Sequence, residues 1–586
     1  MRFIFSYLKK YGWYLGFIVL VKLAGSLLEL LLPYVLEYMV DEVAPVGDAW
    51  RAVAWGIVMI VLALACRWLN VFANRRSSGV AKDATYRIRK DLFWHSVNLS
   101  GSQMDDFGLP SITSRMTSDS YNIQNFIRSI FAMGVRAPIL LLGGIVVTLS
   151  LDPAMAAVLC VIAPIVIVCV VLISWKGIPL FDAVQQRLDT VVRIMRENIT
   201  GILVVKALSK EDYERRRFAQ ANRDLTRQER TASIVMTMPG PVMNFFLNVG
   251  LTIVVIVGAY RVNAGAAKPG VILSFLIYFN MILQGAMGLN RIFMMLSKAN
   301  ASANRIALVV NCPEDLTPIP AAEAAPCPGD GHIIFDKVCF RYGENSTAAT
   351  SAQFAGGERQ MSLQDISFSL AKGSSLGIIG ATGCGKTTIV NLLMRFYDAT
   401  EGHIFVNGRD VRSYDRDELH RLFGVVFQND VVFADTIAEN IRFGRDVPDS
   451  VLPRAAADAC AAEFIEQYDD GYRHAAAIGG ANFSGGQKQR LLITRALAAK
   501  PEILVLDDAS SALDYKTDAL LRRAIREHYR EATTIIIAQR VSSILTLDKI
   551  LMLQEGKILG LGTHAELLES CPAYREIYEA QMGEGE

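Results

Sequence analysis

Apolar residues dominate the first half of the chain and form stretches long enough to cross a membrane. A hydrocarbon core about 30 Å thick is crossed by about 20 residues of helix. Ala154–Trp175 and Pro269–Asn290 carry no charged residue, and Thr231–Tyr260 is an uncharged run longer than one span needs. Three further stretches contain or adjoin charged residues: Tyr14–Val40, Ala52–Cys66 and Ile130–Leu151. The pattern predicts an all-α transmembrane domain of six spanning helices.

Two connections between the predicted spans are long, Arg67–Arg128 and Lys176–Arg230, and they carry most of the Lys and Arg of this half. By the positive-inside rule these connections face the cytoplasm, together with both termini. Mixed charge and apolar spacing, for instance over Val184–Gln228, also predicts that they are helical. We therefore expect the spanning helices to extend well beyond the bilayer into the cytoplasm.

A Pro- and Ala-rich segment, Asn311–Asp330, divides the chain. It predicts a transmembrane domain over 1–310, a linker over 311–330 and a second domain over 331–586. Beyond the linker the pattern changes to α/β, since helical stretches separate short apolar runs. Three of these runs predict buried strands: His332–Phe335, Ser374–Ile379 and Ile503–Leu506.

Composition agrees with a membrane protein and excludes other classes. Hydrophobic residues make up 52% of the 586 residues, and 59 Lys and Arg balance 58 Asp and Glu, so no charge excess indicates a nucleic-acid partner. The nine cysteines form no C-x-x-C pair and no zinc-type spacing with His, which predicts reduced thiols. The apolar N-terminus continues to Val40 without a small-residue cleavage site, so we expect it to be retained.

A phosphate-binding loop is predicted at Gly380–Thr387, because Gly380-Ala-Thr-Gly-Cys-Gly-Lys-Thr387 fits the pattern G-x-x-x-x-G-K-[ST]. It follows a predicted strand and opens a helix at Thr387, which is the context that the motif requires. Glycines let backbone N–H groups curl around phosphates at a helix N-terminus. Lys386 is suited to the outer phosphates and Thr387 to Mg²⁺. The loop predicts ATP and Mg²⁺ as cofactors.

A carboxylate follows the apolar run Ile503–Leu506. Asp507 at the end of such a strand has the Walker B arrangement and is suited to holding Mg²⁺ through water. Many strands end in Asp, so this pattern alone is weak evidence. It becomes strong evidence for a Walker B motif because a phosphate-binding loop lies upstream.

The segment Asn482–Arg490, which reads Asn-Phe-Ser-Gly-Gly-Gln-Lys-Gln-Arg, resembles the signature motif of ABC transporters. In that family the motif of one cassette closes over ATP held by the loop of another, so the resemblance implies two cassettes. Ser484 and the N–H groups of Gly485 and Gly486 are suited to a γ-phosphate at a helix N-terminus.

The resemblance extends over nearly the whole chain and implies a set of site residues. Tyr342 matches the aromatic residue that stacks on adenine, Gln428 the Q-loop, and Ser511–Asp514 the D-loop. Ser114–Asp119 and Glu197–Lys206 resemble the stretches that flank the coupling helices of fused exporters. Nucleotide binding is implied for Tyr342, Gly380, Thr382, Gly383, Cys384, Gly385, Lys386, Thr387, Thr388, Gln428, Ser484, Gly485, Gly486 and Gln487, and metal binding for Thr387, Gln428 and Asp507.

Three features depart from the family's hydrolytic cassettes. Asp508 stands where the family has a catalytic Glu, so the carboxylate is one methylene, roughly 1.5 Å, short, and such misplacement weakens catalysis. Gln539 stands where the family has its switch His, and an amide cannot titrate as an imidazole does. The stretch Glu344–Met361 is longer than the usual link between the first cassette strands and predicts an exposed insertion of unknown role.

The first two departures, Asp508 and Gln539, fall on one ATP site and leave the signature intact. In this the chain resembles one half of a heterodimeric exporter, and the resemblance implies a lipid bilayer, a degenerate site on this chain and a hydrolytic site on a second half-transporter. A slow homodimer, an importer built on the exporter fold, and an ATP-gated regulatory subunit remain open. The substrate stays undetermined among drugs, lipids and peptides. Lys22 and Glu29 lie on one face of the first span, which fits either a functional site or helix packing.

Overall fold

The computed structural model describes residues 1–320, 322–343 and 361–583, with some side chains inside the membrane helices left undescribed. Most of the predicted insertion Glu344–Met361 lies outside these residues. The chain divides into two compact units, one formed by Met1–His95 and Thr113–Asn311 and the other by Ser96–Ile112 and Cys312–Glu586.

The N-terminal part is helical throughout, with short turns between the helices. The helices are α1 (Arg2–Leu8), α2 (Gly12–Tyr38), α3 (Ala49–Asn98), α4 (Gly101–Phe107), α5 (Leu109–Ser114), α6 (Ser120–Met133), α7 (Arg136–Pro138), α8 (Gly144–Leu151), α9 (Pro153–Thr200), α10 (Ile202–Ala207), α11 (Glu211–Thr237), α12 (Pro239–Asn263) and α13 (Pro269–Val310).

Five of the six predicted spans lie in helical stretches of the described residues that are long and apolar enough to cross a membrane. The remaining predicted span, Ala154–Trp175, lies in α9, where several side chains are not described. Helix α3 has 50 residues and α9 has 48. At 1.5 Å per residue each exceeds about 70 Å, more than twice the thickness of a hydrocarbon core. Each helix is therefore longer than one crossing of a bilayer requires.

Charged side chains of the first span pair with neighbouring helices of the same unit. Lys22 is 2% exposed, and its Nζ donates to Asn74 Oδ1 at 2.9 Å. Glu29 accepts two hydrogen bonds from the Arg136 guanidinium, at 2.6 and 3.0 Å. Lys22 and Glu29 thus have separate partners on other helices, which favours the packing interpretation of the two.

The C-terminal unit is an α/β cassette. Its strands are β1 (Ile333–Phe340), β2 (Leu363–Leu370), β3 (Ser375–Gly380), β4 (Glu401–Val406), β5 (Arg409–Asp410), β6 (Phe423–Val426), β7 (Ile503–Asp507), β8 (Thr533–Ile537), β9 (Lys549–Gln554) and β10 (Lys557–Gly562). Its helices after residue 380 are α14 (Lys386–Leu393), α15 (Arg416–Arg421), α16 (Ile437–Arg442), α17 (Leu452–Asp458), α18 (Ala462–Ile465), α19 (Gly485–Ala498), α20 (Tyr515–His528), α21 (His564–Ser570) and α22 (Pro572–Met582).

Two sheets build the cassette. One is antiparallel, with the order β2-β1-β4-β5, and the other has the order β10-β9-β3-β8-β7-β6. In the second sheet, β3 pairs in parallel with β8 and β9, and β7 pairs in parallel with β6 and β8. Every residue of β7 and β8 is buried, as expected for parallel strands covered on both faces. The carboxyl ends of these strands share one edge, where α/β folds bind ligands.

Candidate functional site

The predicted phosphate-binding loop joins the end of β3 to the start of α14. Gly383 and Gly385 have φ angles of +82° and +106°, in the region that side chains rarely adopt. A Cβ on Gly385 would lie 2.7 Å from Leu363 Cδ2 and 2.8 Å from Ser362 O, so only glycine fits there. The tight loop brings Lys386 to the first position of the helix. Lys386 Nζ donates to the carbonyls of Gly380 and Ala381, both at 2.8 Å.

A cavity of about 300 Å³ opens above this loop. Eleven predicted site residues line it: Tyr342, Thr382, Gly383, Gly385, Lys386, Thr387, Thr388, Gln428, Asp507, Asp508 and Gln539. Gly380 and Cys384 belong to the loop itself, and Cys384 is only 6% exposed. Ser362 and Ile537 also line the cavity, although no motif in the sequence indicated them. The structure thus brings segments from six parts of the cassette to one place.

Asp507 lies beside the loop threonine. The Thr387 hydroxyl donates to Asp507 Oδ2 at 2.8 Å, which joins the end of β7 to the first turn of α14. Asp507 is 1% exposed, and this burial raises the pKa of its carboxyl above the ordinary value, with the nearby Asp508 charge acting in the same direction. Carboxylate and hydroxyl oxygens are donors that suit Mg²⁺.

Tyr342 lies at the other end of the cavity. Its hydroxyl is 3.2 Å from Thr388 Oγ1, and its ring packs edge-on against Phe340 and Tyr397. These contacts hold the ring at the wall of the cavity, where it is available to a flat apolar base.

Asp508 and Gln539 meet across the ends of β7 and β8. Gln539 Nε2 donates to Asp508 Oδ2 at 3.0 Å. The Asp508 backbone has φ +52°, a left-handed conformation that Asp tolerates better than most residues, and its N–H donates to Ile537 O at 2.9 Å. Burial raises the pKa of the Asp508 carboxyl, while Lys386, Arg540 and the Gln539 hydrogen bond lower it. The two departures from the family therefore contact each other directly.

The predicted signature residues lie elsewhere in the cassette, at the N-terminus of α19. Ser484 caps this helix, because its Oγ accepts the Gln487 N–H at 3.3 Å and Gln487 Oε1 accepts the Ser484 N–H at 2.8 Å. The N–H groups of a first helical turn have no partner within the helix. Gly486 lies against the D-loop, since a Cβ there would be 3.2 Å from Ala512 O. Among the described residues, none of Ser484–Gln487 lines the phosphate cavity.

A membrane-side segment also belongs to the cassette unit. The N–H of Gly101, the first residue of α4, donates to Phe396 O at 3.1 Å, and Tyr397 Oη donates to Asp105 at 2.8 Å. A Cβ on Gly101 would lie 2.7 Å from the Tyr397 ring. The contacting helix lies upstream of Ser114–Asp119, the stretch that the sequence indicated as flanking it.

Comparisons with known proteins agree with this architecture. The ABC transporter transmembrane region model matches residues 15–287, and the ABC transporter model matches residues 363–511. An uncharacterized ABC transporter ATP-binding protein of Mycobacterium tuberculosis (strain H37Rv) is 32% identical, over 98% of this chain and 97% of its own length. The uncharacterized ABC transporter ATP-binding protein YfiB of Bacillus subtilis (strain 168) is 33% identical, over 99% of this chain and 98% of its own.

The fold has a counterpart among solved structures. A bacterial Atm1-family ABC exporter with ATP bound matches with a TM-score of 0.78 and 23% identity, covering 99% of both chains. A helical transmembrane domain precedes an α/β nucleotide-binding domain in the same order here. The chain therefore belongs to the ABC transporter family, as a multi-pass membrane protein of exporter-type fold that couples ATP to transport.

Proposed function

We propose that this chain is one half of a heterodimeric exporter, in which its own phosphate-binding loop forms a degenerate site that retains ATP. Its signature motif completes the hydrolytic site on the loop of a second half-transporter. The observation that carries the proposal is the hydrogen bond between Gln539 and Asp508. The two positions where hydrolytic members of the family have Glu and His are here engaged with each other.

The chemistry of this pair supports ATP retention. A general base must lie within hydrogen-bond reach of the water it activates, and the Asp508 side chain is one methylene, roughly 1.5 Å, shorter than Glu. Reach is therefore what this carboxylate lacks in comparison with Glu. The Gln539 amide also occupies one carboxylate oxygen, and it cannot exchange a proton as an imidazole does.

The signature residues at the start of α19 support a role in completing the partner's ATP site. Ser484 and Gln487 form a complete capping box, so the first turn of α19 is held in place for an anion. The two glycines leave their N–H groups unobstructed by side chains.

An exposed apolar tip supports the presence of a second chain. Helix α10 follows the long helix α9, and three side chains at or just after it are largely exposed: Leu203 by 78%, Val204 by 61% and Leu208 by 62%. Because α9 is far longer than a bilayer is thick, this tip lies outside the hydrocarbon. Apolar side chains in water favour a covering surface, and we assign that surface to the partner's cassette.

Mg²⁺ fits the same cavity. Thr387, Asp507 and Gln428 supply the hydroxyl, carboxylate and amide oxygens that a hard cation prefers, and all three line the cavity. When bound, Mg²⁺ would neutralise charge on the outer phosphates. In this arrangement the cassette and both termini face the cytoplasm, where ATP is supplied, and the substrate leaves the cytoplasm.

ATPase activity and nucleotide trapping test the proposal. The tagged chain is purified into lipid nanodiscs, alone and with the half-transporter that co-purifies from its own membranes. We expect little ATPase from the chain alone and full activity from the pair, with vanadate-trapped photoreactive ATP crosslinked mainly to the partner. A chain that hydrolyses ATP alone as fast as the pair does is a homodimer, and the proposal then fails. ATP-dependent uptake of substrate by inside-out vesicles separates export from import.

A further inference from the structure

The last described helix contacts the loop that carries Gln539. Gln581, near the end of α22, makes two hydrogen bonds with the main chain on either side of Arg540. Its Nε2 donates to Gln539 O at 2.8 Å, and its Oε1 accepts the Val541 N–H at 2.8 Å. A primary amide that bonds a carbonyl and the N–H two residues later takes the place of a neighbouring strand. One side chain thus bonds the loop backbone on both sides of Arg540.

Helix α22 is a rigid platform for this side chain. Tyr574, on its first turn, is fully buried, and its hydroxyl lies 2.8 Å from His564 Nδ1. Ile577 and Tyr578 pack against the cassette core. Gln581 lies one turn beyond these anchors, so its position follows from the packing of the helix.

The loop bonded by Gln581 places Gln539 in the phosphate cavity. Gln539 lines that cavity together with Lys386 and Asp508, and its amide donates to Asp508. The next side chain, Arg540, stacks over the Tyr515 ring at 5.0 Å, outside the cavity. If the two main-chain bonds to Gln581 were lost, the hydrogen bond from the Gln539 amide to Asp508 would remain, but the main chain that carries Gln539 would be less constrained.

We infer that Gln581 is a positioning residue that sets how strongly this chain's ATP site distinguishes ATP from ADP. The C-terminal helix acts through the loop at Gln539–Val541, which faces the end of the cavity where the outer phosphate would lie beside Asp508. The inference requires only nucleotide binding by this chain and holds for a homodimer as for a heterodimer.

Nucleotide affinity tests the inference on the purified full chain in nanodiscs, with fluorescent ATP and ADP analogues as probes. In Gln581→Ala, we expect ATP affinity to fall about three- to tenfold, the loss expected from one or two hydrogen bonds, while ADP affinity is retained. Glu579→Ala, on the exposed side of the same helix, is the matched control and should change neither affinity. Equal losses for ATP and ADP indicate a purely structural role and overturn the inference, as does no change in either.

Backbone exchange provides a second readout that does not depend on nucleotide. The Val541 amide should exchange with deuterium several times faster in Gln581→Ala than in the unmodified chain. Gln581→Glu keeps the acceptor for Val541 but loses the donor to Gln539, so it should retain slow exchange at Val541 and still lose ATP selectivity. Unchanged exchange at Val541 in a folded Gln581→Ala chain, with the melting temperature as the check of folding, would overturn the inference.

Discussion

The cassette contributes to ATP chemistry at two places, and they differ in which parts are altered. Around the chain's own phosphate-binding loop, the binding groups Lys386 and Thr387 are present, while the reactive positions hold Asp508 and Gln539 bonded to each other. At the start of α19, Ser484 and its capping box are complete. The groups suited to binding nucleotide are thus present at both places. The positions of the family's catalytic Glu and switch His are altered at the chain's own loop. This difference is the one that the proposed function requires of a chain that holds ATP at its own loop and completes the site of a partner.

Removing the signature hydroxyl should have the largest effect. Under the proposed function, Ser484→Ala removes a donor to the partner-bound nucleotide, and loss of one such donor typically costs about 10²–10³-fold in turnover. We expect the ATPase of the purified pair to fall by this order. The matched control is Thr563→Ala, which removes the capping residue of α21 in the same way. A similar loss in both variants would mean that Ser484 acts only as a helix cap.

Removing the loop lysine should have a smaller effect on turnover. Lys386→Ala weakens ATP binding at the chain's own site, because its ammonium serves the outer phosphates. If turnover resides on the partner's loop, as proposed, the ATPase of the pair should fall only in part. Lys557→Ala, on β10, serves as the control. Complete loss of ATPase, equal to that of the partner's corresponding lysine variant, would contradict the asymmetric model.

Restoring the altered pair sharpens the comparison further. Asp508→Glu with Gln539→His restores carboxylate reach and a titrating imidazole, and general-base positioning contributes about 10²–10⁴-fold at one site. The ATPase of the pair should at most double, because one active site becomes two, and vanadate-trapped nucleotide should appear in both chains. The single variants are the controls. Equal amounts of vanadate-trapped nucleotide in the two unmutated chains would contradict a non-hydrolytic site on this chain. If the double variant gains no ATPase activity, the partner's signature motif is also altered.

The smallest effect concerns Cys384 inside the phosphate-binding loop. Its thiol is 6% exposed, so N-ethylmaleimide should label it slowly, and bound ATP should slow labelling further by covering the loop. If this site retains ATP, as proposed, protection should persist during turnover. Cys327, outside the loop, is the internal control and should label equally in all conditions. If nucleotide leaves Cys384 labelling unchanged, this cysteine serves only as a small loop residue.

Contiguous motifs made much of the site predictable from sequence. The phosphate-binding loop and the signature are each formed by a few consecutive residues, and Asp507 directly follows an apolar run. The positions of the loop and of Asp507 follow from the strands before them, which end at the ligand-binding edge of the parallel sheet. Asp508 and Gln539 are 31 residues apart but follow adjacent parallel strands, so their meeting also follows from topology. The predicted strand His332–Phe335 was too short, because β1 continues to Phe340 through irregular pairing near Lys337, whose φ is +47°.

Contacts between distant segments were not predictable. Gly101 meets Phe396 and Gln581 meets Gln539 through single hydrogen bonds that leave no periodic pattern in the sequence. The ends of the membrane helices were equally hidden, since helices such as α3 continue through charged residues without a break. Hydropathy marks where a helix enters lipid, and capping chemistry rather than hydropathy marks where it ends.

Helix α14 connects the phosphate-binding loop to the residues that contact α4. It begins at Lys386 in the phosphate-binding loop and runs about 12 Å at 1.5 Å per residue. Phe396 and Tyr397, just beyond it, contact Gly101 and Asp105 of α4. No side chain larger than hydrogen fits at Gly101, so α4 packs closely against Phe396 and Tyr397. A displacement of α14 is therefore expected to alter the contacts of Phe396 and Tyr397 with α4.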